Sequence, residues 1–185
     1  MFITAEDFDT IPYNLPDLDG YATQFSNFVA REEREELRRV LGSVLYQEFI
    51  EGLFTDGDPT QPIAEEAIEQ KWKDLRDGAM YTLEEDGEEY TWIGLNELLI
   101  PYIYAMWTRA TWFAHAQLGI MRPQVENATA VSPTPLIVGG YNDYSGKVGD
   151  ECSLKDTLYG FLHTNEETYA TWVFKCPGVM TEFNI

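Results

Sequence analysis

The segment LLIPYIYAMWTRATWFAHAQLG, residues 98–119, constrains the fold of this chain more than any other stretch. From Leu98 to Thr108 it has no charged side chain, and it carries two of the chain's five tryptophans. Its spacing predicts one helix over residues 95–118 that is apolar most of the way round. A helix of this kind must be buried on most sides, because its aromatic surface would otherwise face water.

The predicted helix has two faces with different properties. The apolar face belongs to the core, and the semi-polar face is either more core or a contact with another subunit. Pro101, in the second turn, should bend the helix because it removes a backbone hydrogen bond. The apolar face holds Leu95, Leu98, Leu99, Tyr102, Met106, Ala110, Phe113 and Ala114, and the semi-polar face holds Tyr104, Thr108, Trp112 and His115.

The same segment is too short to cross a membrane. A spanning helix needs roughly 20 predominantly apolar residues, whereas Glu97 and Arg109 bound this run. The first residues, MFITAEDFDT, lack the basic and apolar regions of a signal peptide. We therefore expect an intracellular soluble protein. Cys152 and Cys176 show no CxxC spacing and are expected to be buried or half-buried free thiols in a reducing compartment.

The first third of the chain predicts an arm followed by helices. Residues 1–20 contain prolines and aspartates and read as an extended N-terminal arm. Residues 21–53 have helical spacing, with a weak point at Gly42. The stretch REEREELRR in this helix predicts an exposed charged face, with Glu35 placed four residues before Arg39. A second helix is expected over residues 63–77, with Gly78 as its C-cap.

The stretch MYTLEEDGEEYTWIG predicts a β-hairpin near residues 79–93. Asp86-Gly87 lies between two strand-like runs, which is the strongest short-range hairpin signal. Its acidic tip is expected to be solvated, although it could insert into a basic surface on a partner. An isolated hairpin is marginal in water, so its apolar side chains must pack on the helices or on another chain. These side chains are Tyr81, Leu83, Tyr90 and Trp92.

The second half predicts two more helices and an extended end. One helix should start at Ser132 and Pro133 and be weakened by Gly139-Gly140. A short helix should open at Ser153, with Asp156 three residues later, and run to about Leu162. We therefore predict a mainly α fold, a helix bundle with one β-hairpin and extended terminal arms. Residues 1–20 form the arm and residues 21–185 a single domain.

Composition and motifs argue against most kinds of chemistry. There are 32 acidic and 12 basic residues, and a net charge of −20 repels nucleic acid and anionic lipid. No phosphate-binding, dinucleotide-binding, zinc-protease or serine-hydrolase motif is present. Asp56-Gly57-Asp58 fails as an EF-hand, because Gln61 and Ala67 stand where glycine and glutamate are needed. His115 and His163 are isolated. We expect no catalytic residue, no metal site and no cofactor.

Several stretches resemble a family of tailed-phage structural proteins. LRRVLGSVLYQEF resembles a helix-ending segment of that family, and WIGLNELLIPYIYAMW resembles the opening of its central helix. ENATAVSPTPLIVGGYNDY, TLYGFL, YATWVF and the final FNI extend the likeness over roughly residues 21–185. The family is similar to the head–tail connector (adaptor or head-completion) proteins of long-tailed phages and prophages.

The resemblance implies a non-enzymatic subunit that self-associates in a ring between portal and tail proteins. It implies a location in the bacterial host cytoplasm and then in the virion. An acidic inner wall would form a passive channel for DNA, without sequence-specific binding. The alternative is an acidic interaction module or DNA mimic that binds a nucleic-acid-acting enzyme, and a hydrolase is a more distant reading. The candidate interface residues are Tyr81, Leu83, Tyr90, Trp92, Trp112, Phe183 and Ile185.

Overall fold

The computed structural model describes residues 2–9, 12–15, 21–117, 132–173 and 178–181, without the side chains of residues 112–117. The predicted mainly α bundle with one β-hairpin is confirmed. The elements, in chain order, are α1 (Ala22–Leu41), α2 (Ser43–Leu53), α3 (Gln70–Asp77), β1 (Ala79–Thr82), β2 (Glu89–Trp92), α4 (Leu95–Gln117), α5 (Thr134–Val148) and α6 (Leu158–Thr164).

The first long helical stretch is divided at Gly42, where a weak point was predicted. Gly42 has φ 78°, in the region that favours glycine, and it separates α1 from α2. The indole Nε1 of Trp172 donates to the carbonyl of Val40 at 3.1 Å, so a later segment satisfies a backbone oxygen at the end of α1.

The charged stretch of α1 is only partly exposed, which corrects the prediction. Glu33 and Glu36 have 5% and 3% of their surface exposed. They continue the buried side of the helix that starts with Phe25 and Val29, because residues three or four apart share a face. Arg39 pairs with Glu36 and not with the predicted Glu35.

The predicted helix over residues 63–77 is shorter than expected. Residues 65–67 form one turn of 3-10 helix, and the extended backbone of Glu69 (ψ 142°) separates it from α3. Ile63 donates its N–H to the carbonyl of Leu53 at 2.9 Å, which ties the preceding segment to α2 instead. The predicted C-cap at Gly78 is confirmed by its φ of 105° and its hydrogen bond to the carbonyl of Asp74.

The hairpin has a longer loop than a two-residue Asp-Gly turn. Its strands are antiparallel, with Tyr81 opposite Tyr90 and Thr82 opposite Glu89. Beyond the last pair, the N–H of Gly87 bonds to the carbonyl of Leu83 at 2.9 Å. Among the loop residues 83–88, only Gly87 has a positive φ (71°), whereas a type I′ turn requires a positive φ at both central residues.

Helices α4 and α5 pack closely, and Gly140 makes this possible. A Cβ at Gly140 would lie 3.0 Å from the carbonyl oxygen of Pro101 and 3.3 Å from Cδ1 of Tyr104. The predicted weakening at Gly139-Gly140 does not interrupt α5, which is continuous from Thr134 to Val148. Tertiary packing against α4 compensates for the low helix propensity of the two glycines.

The start of α6 also differs from the prediction. Its N-cap is Thr157, whose Oγ1 accepts the N–H of Gly160 at 3.1 Å, so Ser153 is not the cap. Asp156 has φ 56°, and its carboxylate accepts the N–H of Thr91 at 2.8 Å. The residue predicted to close a capping box therefore joins the hairpin to the loop before α6.

The N-terminal segment is part of the domain and not a free arm. Residues 5–8 form a 3-10 helix, and Ile3 and Phe8 are buried in the core. The backbone N–H groups of Phe2 and Ile3 both donate to the Glu33 carboxylate, at 2.8 and 3.2 Å. These contacts hold the described residues 2–9 against the helices.

One hydrophobic core runs from Ile3 to Tyr169 and includes buried residues of all six α-helices. No helix among the described residues is long and apolar enough to span a membrane. Cys152 is a free thiol as predicted but is exposed, because it lies in a surface turn. Cys176 lies outside the described residues.

Candidate functional site

The base of the hairpin is fixed to the segment before α6 through Tyr81. Its hydroxyl donates to the carbonyl of Leu154 at 2.5 Å and accepts the N–H of Thr157 at 3.3 Å. Its ring packs edge-on against Phe161, with 6.0 Å between centroids. Burial raises the pKa of the Tyr81 hydroxyl, so Tyr81 serves as a neutral structural hydrogen-bonding group.

Leu83 and Trp92 are likewise used by the protein's own core. Both are buried, and the Trp92 indole donates to the carbonyl of Leu75 at 3.1 Å while its ring stacks on Phe161. Of the two alternatives for the hairpin, packing on its own helices therefore accounts for Tyr81, Leu83 and Trp92. Their side chains offer little surface to another chain in this conformation.

Tyr90, the fourth hairpin residue, is half-buried at the edge of the acidic loop. Its hydroxyl donates to Asp86 at 2.8 Å, and the Lys155 ammonium lies 5.0 Å from its ring centroid and 3.0 Å from the Asp86 carboxylate. The Glu88 N–H, the Tyr90 hydroxyl and Lys155 together hold the pKa of Asp86 below its usual range. Asp86 is thus an anionic anchor for the loop.

The other acidic residues of the loop are exposed, as predicted. Glu84, Glu85 and Glu88 in the loop, and Glu89 at the start of β2, form no ion pair with any described residue. Glu84 and Glu85 line an open cleft of about 520 Å³, which Glu166 and Glu167 line from the other side. The cleft brings four carboxylates to one opening, which suits a cationic group of a partner.

The remaining predicted contacts are only partly described. The side chain of Trp112, together with Phe183 and Ile185, lies outside the described residues. Tyr104, on the semi-polar face of α4, is buried next to Tyr13, with 5.3 Å between centroids. That position of the face therefore belongs to the core.

The part of the chain that the structure describes has no group of His, Cys, Asp and Glu residues that could hold a metal ion. His163 lies in the last turn of α6 and stacks on Tyr159. The side chain of His115 lies outside the described residues.

Sequence reasoning missed a buried polar cluster between α1, α4 and α5. The Glu36 carboxylate accepts from the Arg39 guanidinium, at 2.8 Å from Nε, and from the Tyr144 hydroxyl. The Tyr102 ring lies 5.0 Å from that of Tyr144, and its hydroxyl donates to Glu32 at 3.2 Å. The phase of Glu36 on the apolar side of α1 was the signal that could have revealed this cluster.

Electrostatics favour the neutral form of Tyr144 and the charged form of Arg39. Burial, reinforced by the negative charge of Glu36, raises the pKa of Tyr144 well above its ordinary value. Burial opposes the charge of Arg39, but the bonds to Glu36 outweigh this effect and the pKa of the guanidinium is raised. Tyr144 stays neutral and Arg39 cationic, which suits a structural ion pair rather than proton transfer.

A second missed feature is a shallow groove beside this cluster. It has a volume of about 420 Å³, and α1, α4 and α5 contribute its lining, with Arg39, Arg109 and Tyr141 among the side chains. Met180 also lines this groove, and both backbone polar groups of Met180 bond to the side chain of Asn142. The chain thus presents an acidic cleft and, separately, a groove whose wall includes a residue near the C-terminal end.

Comparisons with protein-family models, curated proteins and solved structures gave no match for this chain.

Proposed function

We propose that this chain is a non-enzymatic structural protein of a tailed phage or prophage, a head–tail connector subunit that assembles as a ring between portal and tail. The proposal rests on the resemblance of residues 21–185 to that family and on the helix bundle with a single hairpin. The subunit would be made in the host cytoplasm and incorporated into the virion.

The hairpin is the observation that carries the proposal. Its base is held in the core by Tyr81 and Trp92, and its loop keeps Asp86 in a local ion pair. The carboxylates of Glu84, Glu85, Glu88 and Glu89 are exposed and have no ion-pair partner in the described part of the chain. Folding gains nothing from these charges, since like charges repel each other. A rigid acidic loop of this kind suits contact with a basic surface on a neighbouring subunit or ring.

Charge also supports a passive role toward DNA. With a net charge of −20, a ring of such subunits would offer phosphates few cations to bind. DNA could then pass through the ring without adhering to it. The interface roles of Trp112, Phe183 and Ile185 are retained in the proposal.

The first test is quantitative mass spectrometry of particles purified on a density gradient after induction of the encoding prophage. We expect a copy number close to that of the portal protein. Absence of the chain from intact particles would overturn the proposal, and capture of a nucleic-acid-acting enzyme by the purified chain would favour the acidic interaction module or DNA mimic.

A charge-matched pair of variants tests the hairpin. Changing Glu84, Glu85, Glu88 and Glu89 to Gln should keep or raise the thermal unfolding temperature, because it removes mutual repulsion, but should reduce incorporation into particles at least tenfold. The control changes four exposed glutamates elsewhere, Glu6, Glu66, Glu97 and Glu151, to Gln. Equal incorporation of the two variants would contradict a role for the loop.

A further inference from the structure

We infer that the outer edge of β1 is a docking site for an extended basic segment of another protein, which adds a third strand to the hairpin. The site consists of the main chain of residues 79–82 and the exposed carboxylates of Glu84 and Glu85, which come shortly after that strand. The inference concerns binding by the purified chain and does not depend on the connector proposal.

The register of the hairpin shows which backbone groups of β1 face away from β2. Leu83 donates its N–H to the carbonyl of Glu88 at 3.2 Å, so these two residues form a hydrogen-bonded pair. In an antiparallel ladder, such pairs alternate with pairs whose N–H and C=O groups point outward. The outward groups of β1 therefore belong to Met80 and Thr82.

The two edges of the hairpin differ in whether the protein covers them. On the β2 edge, the outward N–H of Thr91 donates to the Asp156 carboxylate at 2.8 Å. On the β1 edge, no other described segment bonds to the outward groups of Met80 and Thr82, and the Met80 side chain is 66% exposed. Exposed edges are usually protected by proline, lysine, a bulge or a covering segment. Residues 79–82 contain neither proline nor lysine and pair without a bulge, so this edge is open to a further strand.

An added strand would be recognised mainly through its own main chain. Addition of a strand to an exposed sheet edge is a common way for proteins to bind extended peptides, with main-chain hydrogen bonds supplying the affinity. Met80 and Thr82 also present their side chains on one exposed face, because Tyr81 between them is buried. The unbranched Met80 side chain adapts to different neighbours, so this edge imposes little preference for particular apolar residues.

Charge determines which kind of segment fits this edge. A strand that continues along the edge past Thr82 reaches the acidic cleft, which Glu84 and Glu85 line on one side and Glu166 and Glu167 on the other. Lysine or arginine at the end of the added strand would pair with these carboxylates. A second copy of this chain carries a net charge of −20 and would be repelled from the same place. The partner is therefore a different protein with a basic extended segment.

The test uses the purified full-length chain and a fluorescein-labelled peptide in which a run of alternating threonine and valine is followed by Lys-Arg-Lys-Arg. Fluorescence anisotropy should show binding that weakens as sodium chloride is raised from about 50 to 150 mM. A matched peptide that ends in four glutamates should bind about tenfold more weakly or less. On binding of the basic peptide, hydrogen exchange at the amides of Met80 and Thr82 should slow by about tenfold or more, whereas the Tyr81 amide, which is already bonded within the hairpin, should change little.

Two substitutions at one position separate strand pairing from simple attraction of charge. Thr82→Pro removes an outward N–H without removing a bond within the hairpin, which an edge strand tolerates, and should weaken binding of the basic peptide by about tenfold or more. Thr82→Val keeps the N–H and should leave the affinity within about twofold of wild type. Circular dichroism checks that both variants are folded, and Met80→Pro takes the place of Thr82→Pro if the latter is not.

Three outcomes would each overturn the inference: no binding of the basic peptide, equal binding of the acidic peptide, or equal affinity of wild type and the proline variant. Slower exchange at Met80 and Thr82 in a chain that is absent from intact particles would support the docking edge and contradict only the connector proposal.

Discussion

At the scale of single residues, the most consequential group is the Glu36 carboxylate. It is buried and receives the Arg39 guanidinium and the Tyr144 hydroxyl. Leaving a buried charge without its partner costs far more free energy than the intact pair contributes. Loss of either partner of Glu36 should therefore destabilise the fold. The free-energy cost of leaving Arg39 unpaired is smaller, because 34% of its side chain is exposed to solvent.

We expect Glu36→Ala to lower the free energy of unfolding by about 2–4 kcal/mol, because it leaves Arg39 and Tyr144 without their common acceptor. Glu35→Ala removes an exposed carboxylate from the adjacent position and should change the free energy of unfolding by less than about 0.5 kcal/mol. Urea denaturation measures both values. Similar losses for the two variants would show that Glu36 is not a buried structural partner.

The carboxylate of Glu33 predicts a dependence of stability on pH. Burial raises its pKa, and the N–H groups of Phe2 and Ile3 offset part of this effect. The folded state then holds the proton more tightly than the unfolded state, so stability is lost as pH rises through the interval between the two pKa values.

Glu33→Gln removes this titration and keeps an oxygen that can accept from the same N–H groups. The unfolding free energy of wild type minus that of the variant should therefore decrease as pH rises above the ordinary glutamate pKa. Thermal or urea unfolding of both proteins over the acidic pH range measures this difference. A difference that increases with pH would contradict the assignment.

The burial of two charged residues in the core, Glu33 and Glu36, could not be predicted from the sequence. Phe25, Val29, Leu37 and Val40 mark the buried side of α1 in the sequence, but Glu33 and Glu36 read as solvated because charged residues are rarely buried unless paired. Their partners are Tyr144, more than 100 residues away, and the backbone of Phe2 and Ile3. The sequence of α1 alone cannot predict contacts between residues that are so far apart along the chain.

At the scale of elements, the packing of α4 against α5 depends on which of two adjacent glycines faces the interface. A Cβ at Gly140 would lie 3.0 Å from the Pro101 carbonyl oxygen, whereas one at Gly139 would meet nothing within 4 Å. Backbone in a packed helix moves little, so the Gly140 contact cannot be relieved by a side-chain rotation.

The two glycines form a matched pair for mutation. Gly139→Ala should raise the free energy of unfolding by about 0.5–1 kcal/mol, since alanine is the better helix former. Gly140→Ala should lower it by about 1 kcal/mol or more, because the clash with α4 outweighs the same gain. Chemical denaturation of the two variants distinguishes them, and stabilisation by both would show that α4 and α5 are not in close contact.

Most elements and most of their ends followed from the sequence, and the exceptions are the starts of α3 and α6. The hairpin, the break at Gly42 and the long helix α4 each had a strong local signal. The start of α3 was misplaced because apolar residues at helical spacing before it pack through 3-10 and extended backbone instead. The acidic tip of the hairpin was predicted from Asp86-Gly87. The groove beside Met180 could not be predicted, because its lining comes from three helices that are distant in the sequence.

At the scale of the whole molecule, the net negative charge opposes folding, in addition to the loss of chain entropy. The 32 acidic residues exceed the basic ones by 20. In the described part of the chain, no ion pair is formed by the glutamates that line the acidic cleft, which are Glu84, Glu85, Glu166 and Glu167. Repulsion among exposed carboxylates favours the expanded unfolded chain, where they lie farther apart.

Salt should therefore stabilise this protein. Raising sodium chloride from about 10 mM to 150 mM shortens the Debye length from about 30 to 8 Å and screens the repulsion. We expect Tm to rise by about 3 °C or more, which corresponds to roughly 1 kcal/mol for a domain of this size. Differential scanning calorimetry gives the value, and a fall in Tm would mean that attractive ion pairs outweigh the repulsion.

The bond from Tyr81 to the carbonyl of Leu154 has a consequence for synthesis on the ribosome. The two residues are 73 positions apart, so the strands emerge long before the segment that covers them. At about 5–20 residues per second, the delay is roughly 4–15 s. During that time Tyr81 and Leu83 are exposed, because Phe161 and Thr157 have not yet been translated. The exposed apolar side chains form a stretch that chaperones can bind. The hairpin therefore cannot complete its packing until α6 has been translated.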